Sequence, residues 1–274
     1  MSIKPLPEDV IRRISSSATI TSLDAVVCGL IKNSFDAGAT RINITVDYSR
    51  GNCTVEDDGL GILPIEFREA GGLGKLYHTS RHSPESEAHG ASGNFLASLA
   101  ALSLLSITSH HHLHNSQNSL TLHNAKVLAR NVPALPEQRL LAFAHGTQVI
   151  VRDLFGSMAV RVKQRAVAAE KAAVDKKWSR LVHDLAALLL AWPSPVALYA
   201  RDTLHNNEIR FKPTSTAQFI SFGVHPVANE HGTNVLYTEV NRVFVNSGFA
   251  IEEDVDMSLD QDELLRNATG HYQT

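Results

Sequence analysis

Between Leu23 and Asp58 the hydrophobic period switches once, from that of a helix to that of a strand. Leu23, Val26, Val27, Leu30, Ile31 and Ser34 recur at helical spacing, with Thr21 or Ser22 placed to cap the start and Gly38 to end the turn. Arg41–Ser49 then alternates, with Ile42, Ile44 and Val46 on one side, and Cys53–Asp58 repeats the alternation after the turn Arg50-Gly51-Asn52. A helix followed at once by a hairpin must bury its apolar stripe on the apolar face of that hairpin. The expectation is an α/β layer with antiparallel pairs.

The rest of the chain extends this pattern. Ala91–Ser109 reads as a helix running into a strand, His110–Arg130 as a hairpin excursion, and His145–Asp153 as a closing strand. Residues 161–192 have a basic entry and then a long amphipathic helix ending at Trp192-Pro193. Val196–Pro213 reads as a hairpin turning at Asn206-Asn207, Gln218–Val227 as a strand, and Asn234–Phe249 as a helix. The expected units are residues 1–155 and a smaller α+β unit over 156–274, a division that 274 residues allow.

Bulk composition narrows the function classes. Hydrophobic residues at 43% and charged residues at 19% are ordinary for a globular chain. A formal net charge of -3 means that any contact with nucleic acid depends on a local patch. Two cysteines, Cys28 and Cys53, provide no disulfide framework and point to a reducing compartment. Met1–Ile14 lacks a signal-peptide core and no run of 18 apolar residues occurs, so a soluble, intracellular protein without a membrane partner is expected.

Four local features have the chemistry of a nucleotide site. Asn33 lies on the first amphipathic helix, where a carboxamide can coordinate Mg²⁺ bridging phosphate oxygens; taken alone, a helical Asn is more often a cap. Asp57 ends a strand before Gly59 and Gly61, so its carboxylate could accept from an adenine amino group while the glycines admit the base and ribose; taken alone, this is an acidic turn. Gly90 and Gly93 lead into a helix whose first N–H groups suit phosphate. Gly146-Thr147 opens a strand.

In this order the four features resemble the GHKL ATPases, and MutL most closely. Asn33-Ser34-Phe35-Asp36-Ala37-Gly38-Ala39-Thr40 is similar to the Asn-Ser-Leu-Asp-Ala-Gly-Ala run of MutL proteins, and Thr79-Ser80-Arg81 to their Thr-Ser-Lys. Gly146-Thr147, Val149, Val151 and Leu154-Phe155 resemble the Gly-Thr-x-Val-x-Val-x-x-Leu-Phe junction, with Arg161 beginning the next segment. Phe219–Gly223 looks like a degraded Tyr-Val-Asn-Gly-Arg strand. The closest branch resemblance is to a fungal meiotic MutL homologue.

The resemblance implies a Bergerat-type α/β sandwich with a mixed antiparallel sheet. It implies ATP and Mg²⁺ as cofactors, held by Asn33 (also the metal ligand), Asp57, Gly59, Gly61, Gly90, Gly93 and Thr147. It further implies a nucleus-located protein, another MutL homologue as heterodimer partner, and non-specific double-stranded DNA contacted through Arg161, Lys163 and Arg165.

Departures from the family pattern are equally specific. The family's general-base carboxylate, four residues before the Asn, is here Gly29, so no catalytic residue is assigned and hydrolysis should be weak or lost. The family's Gly-Phe-Arg-Gly-Glu-Ala-Leu appears as Gly90-Ala91-Ser92-Gly93-Asn94-Phe95-Leu96. The Asn-Val-His-Pro-x-Lys strand has no counterpart before Thr274, so the second unit is expected to be incomplete there. The cluster His110, His111, His112 and His114 reads as a solvent-exposed hairpin tip rather than a metal site. Two functions stand: an ATP-dependent switch in mismatch repair or meiotic recombination, or a non-enzymatic DNA-binding or partner-docking subunit with a vestigial pocket.

Overall fold

A computed structural model describes residues 5–79, 93–139, 142–167, 171–213, 221–222, 225–226 and 235–248. Along the chain these form α1 (Glu8–Thr19), α2 (Leu23–Asp36), β1 (Arg41–Asp47), β2 (Asn52–Asp57), α3 (Phe95–Leu102), β3 (Leu104–His110), β4 (Gln117–His123) and β5 (Lys126–Asn131). There follow β6 (Gly146–Arg152), α4 (Ala159–Val167), α5 (Lys171–Ala191), β7 (Ala197–Asp202), β8 (Glu208–Phe211), β9 (Ser221–Phe222), β10 (His225–Pro226) and α6 (Val235–Val245).

The first eight strands make one sheet in the order β5-β4-β3-β6-β2-β1-β7-β8. Every neighbouring pair is antiparallel except β1 and β7. Period-two alternation turns Ile42, Ile44 and Val46 of β1, Leu105 and Ile107 of β3, and Leu198 and Ala200 of β7 into one core. Helices α2 and α5 pack on this face, α5 burying Val174, Leu181, Leu185 and Leu189 along one stripe. The rings of Phe35 and Trp192 stack with centroids 4.9 Å apart where the two helices end. The result is the expected α/β sandwich.

The local signals behave as read. Ser22 caps α2, its hydroxyl accepting from the Ala25 N–H at 3.1 Å, and Gly38 follows the helix with φ of +69°. Asn124 and Ala125, both with positive φ, turn β4 into β5, and Asn206 does the same between β7 and β8.

The division expected between residues 155 and 156 does not coincide with a break in this packing. Ile42 pairs with Leu198 and Ile44 with Ala200 across the β1–β7 ladder. Leu181, Leu185 and Leu198 belong to the same core cluster as Ile42 and Val55. Residues 171–211 are therefore built into the first sheet, because β1 would otherwise be an open edge and the α5 stripe would face water. A separate two-stranded sheet, β9–β10, lies beyond it.

The histidine-rich tip contains no group of three or more metal-ligating side chains among the described residues. Both cysteines are free thiols, and burial pushes Cys28 up to about 11 and Cys53 up to about 12. No single helix among the described residues is long and apolar enough to cross a membrane.

Candidate nucleotide-binding site

Asp57 is the last residue of β2 and only 5% exposed. Three donors converge on it: the Ser34 hydroxyl from α2 at 2.7 Å to Oδ2, the Gly59 N–H at 3.0 Å to Oδ1, and the Thr147 N–H from β6 at 3.2 Å to Oδ1. Burial pushes its carboxyl above the ordinary range, while these donors pull the other way. A carboxylate offers about four acceptor positions. Three are filled among the described residues, which leaves one on Oδ2.

The neighbouring acids do different work. Asp58 accepts from the Thr40 N–H and hydroxyl, both at 2.8 Å, from the Arg41 N–H at 2.7 Å and from Arg41 Nε at 2.9 Å. Although its burial acts upward, these partners hold its carboxyl below the usual value. It fastens the α2–β1 turn. Glu56 accepts from the Ala142 N–H at 3.4 Å. Asp57, whose Oδ1 accepts from the Gly59 N–H, is the member of the triplet bonded to the glycine loop among the described residues.

That loop is held from below by Ser109 on β3. Its hydroxyl accepts from the Ile62 N–H at 2.8 Å and lies 2.9 Å from both the Gly146 carbonyl and Thr147 Oγ1. Gly61 has φ of +77°, and a Cβ there would run into the His110 carbonyl. Gly146 has φ of +124°, and its Cβ would collide with the Asp57 carbonyl. The histidines contribute here: His145 Nδ1 donates to the Gly59 carbonyl at 2.8 Å, and the His112 N–H to the Leu60 carbonyl at 3.0 Å. These contacts fix the mouth of the site.

Asn33 stands on α2 immediately before Ser34, half-buried. Its carbonyl accepts from the Ala37 N–H at 3.0 Å, whereas its carboxamide has no hydrogen-bond partner among the described residues. An unpartnered carboxamide oxygen fits a hard cation such as Mg²⁺. Gly93, with φ of +61°, precedes Asn94, whose side-chain oxygen accepts from the Tyr77 N–H at 3.2 Å. The first N–H groups of α3 follow directly. Gly90, with Ala91, Ser92, Ser80 and Arg81, lies outside the described residues. The structure thus brings Asn33, Asp57, Gly59, Gly61 and Thr147 to α2, β2, β6 and the loop between them, with Gly93 at the start of α3.

Comparison with known proteins bears on the family and the fold. Residues 20–147 match the family described as histidine kinase-, DNA gyrase B-, and HSP90-like ATPase. The chain is 30% identical over 269 residues to the DNA mismatch repair protein PMS1 of Arabidopsis thaliana, covering 95% of this chain and 26% of that protein. It is 34% identical over 168 residues to the DNA mismatch repair protein MutL of Carboxydothermus hydrogenoformans, covering 59% of this chain and 27% of that protein. The chain belongs to the MutL family. It spans about a quarter of the length of these relatives. The crystal structure of the N-terminal domain of a DNA repair protein shares the fold, with a TM-score of 0.54 at 18% identity over 75% of this chain and 57% of that one.

In the basic segment of this MutL-family chain, two of the three expected DNA-contacting residues have partners within the chain. Arg165 turns inward: NH1 donates to the Leu154 carbonyl at 2.8 Å and NH2 to Asp153 at 2.8 Å, while a Cβ on Gly51 would strike the guanidinium. Arg161 lies over the Phe155 ring, 5.1 Å from its centroid. Arg161 and Arg165 thus also secure the β6–α4 junction and are half-buried, while Lys163 is exposed. Sequence reading missed Ser109 and took Ser34 as part of the helix's apolar stripe. Neither has a local signature, because each acts across the sheet.

Proposed function

We propose that this MutL-family chain binds ATP with Mg²⁺ as a conformational switch in DNA mismatch repair or meiotic recombination, with hydrolysis weak or lost. The observation that carries the reading is the single free acceptor position on buried Asp57, beside a glycine loop whose Cβ positions are blocked by backbone. An adenine amino group is the complementary donor. Asn33 would hold Mg²⁺ and phosphate oxygens, Thr147 would reach the base through water, and Gly90 with Gly93 would admit phosphates to the start of α3. The bound cation would neutralise phosphate charge.

The partner in this reading is another MutL homologue, in a nuclear heterodimer that contacts double-stranded DNA without sequence preference. Lys163 and the exposed Lys171, Lys176 and Arg180 of α5 supply the phosphate contacts. The expected second, DNA-contacting unit over residues 156–274 contains all four of these residues. The alternative is a partner-docking subunit with a vestigial pocket, favoured by the glycine at position 29.

Equilibrium binding of ATP with Mg²⁺ to the whole chain, beside an Asp57→Asn control, followed by a turnover assay, tests both. Binding that is lost in the control, without turnover, supports the switch. A folded chain that binds no ATP rules the switch out and leaves the docking subunit.

A further inference from the structure

Two departures from the MutL pattern, far apart in sequence, touch in space. Gly29 lies on α2 one turn before Asn33, and an ideal Cβ there would sit 2.5 Å from both Cε2 and Cζ of Phe95. Real Cβ atoms do not approach carbon that closely, so any side chain at 29 requires the ring to move. Phe95 is the first residue of α3, and its ring packs partly buried against the core cluster. Any retreat of the ring must therefore disturb its packing against that cluster. The family pattern has a carboxylate at the first position and an alanine at the second.

We infer that Gly29 and Phe95 are a matched pair in which the aromatic ring plugs the wall of the nucleotide site next to Asn33, occupying the volume a general base would need. This rests on the nucleotide-binding reading for its functional consequence, but the pairing itself does not. With the ring edge at this position, a carboxylate carried by residue 29 has no place beside Asn33 unless the ring moves. Loss of the base and growth of the ring act together. A carboxylate introduced at 29 alone is rejected, and one introduced with a small residue at 95 is accepted.

The test uses the whole chain in two parts. In thermal melts, Gly29→Ala lowers Tm by at least about 2–4 °C when Phe95 is present, because the methyl group collides with the ring. In a Phe95→Ala background the same change leaves Tm unchanged or raises it, alanine being the better helix former. Equal shifts in the two backgrounds overturn the pairing. In ATP assays, Gly29→Glu alone loses fold or binding. Gly29→Glu with Phe95→Ala binds ATP and turns it over at least about 10²-fold faster than Phe95→Ala alone.

Turnover by Gly29→Glu alone at the rate of the double variant, or binding without any gain in the double variant, overturns the plug as the cause of lost hydrolysis. A folded wild-type chain that binds no ATP refutes the nucleotide reading instead. The melting cycle still decides the pairing in that case.

Discussion

Asp57→Asn separates nucleotide recognition from folding. In the wild type, Oδ1 takes the N–H groups of Gly59 and Thr147, Oδ2 takes the Ser34 hydroxyl, and one position on Oδ2 stays open. Asparagine keeps its carbonyl oxygen for the two N–H groups. Its amide then donates to Ser34 Oγ, whose own hydrogen is free for the Leu30 carbonyl 3.2 Å away. Every buried partner stays satisfied. The open position, however, now presents an N–H to the ligand, and an adenine amino group facing it meets a donor instead of an acceptor.

The magnitudes point in opposite directions. A hydrogen bond to a charged group contributes about 1.5–3 kcal/mol, so ATP affinity should fall by about 10²-fold. The fold should not suffer. Burial raises the Asp57 pKa, so at neutral pH the ionised carboxylate is a net cost that the neutral amide removes. Equilibrium ATP binding and thermal melting at pH 7 measure both, with Tm equal to or above wild type. An affinity within about threefold of wild type would refute Asp57 as the base acceptor. A fall in Tm of more than about 5 °C would refute the hydrogen-bond exchange with Ser34.

Further consequences follow from the same contacts. ATP affinity should weaken on acidification at a pH above the ordinary carboxylate value of 3.8, since protonating Asp57 uses up its acceptor; the stability contributed by its raised pKa is fully present below the unfolded value and is lost as pH rises through the higher folded one, so melts taken alongside should not show the site unfolding first. Gly61→Ala should cost about 1–3 kcal/mol in chemical denaturation and abolish binding, because φ of +77° and the His110 carbonyl both oppose a methyl group. Arg165→Ala should lower stability by about 1–3 kcal/mol through loss of its bonds to Leu154 and Asp153, whereas Lys163→Ala should leave melting unchanged and reduce the salt slope of DNA binding by about one.

Much of the fold was legible because its signals are local. The alternation of Ile42, Ile44 and Val46 and the stripe of α2 define faces that need no partner to be recognised. Asp57 was legible for the same reason: a carboxylate at a strand end before two glycines is a short pattern. The partners of that carboxylate were not. Ser34 satisfies helical spacing as well as an apolar residue would, and only the sheet brings it within 2.7 Å of Asp57. Arg165 sits in a basic run whose charges look alike, yet the positive φ of Asp153 and Phe155 shapes a turn that its guanidinium closes. Phe95 reads as an ordinary helix apolar until Gly29 is seen beside it.

The expected division at residue 155 crosses the β1–β7 ladder, and truncation tests it. Parallel pairing of β1 with β7 joins strands separated in sequence by β2 to β6 and α3 to α5, and nothing in either strand announces its partner. A chain ending at Phe155 loses α5, whose Val174, Leu181, Leu185 and Leu189 are each 0% exposed. It also opens the β1 edge. Emptying a buried leucine site alone costs about 2–5 kcal/mol, so three such leucines approach or exceed the roughly 5–15 kcal/mol that holds a domain together. Residues 1–155 should therefore show no cooperative urea transition by far-UV circular dichroism, whereas residues 1–213, which keep α5, β7 and β8, should unfold in one. A cooperative transition in the shorter chain would mean that α5 covers a face the first six strands can bury without it, and the domain boundary would return to residue 155.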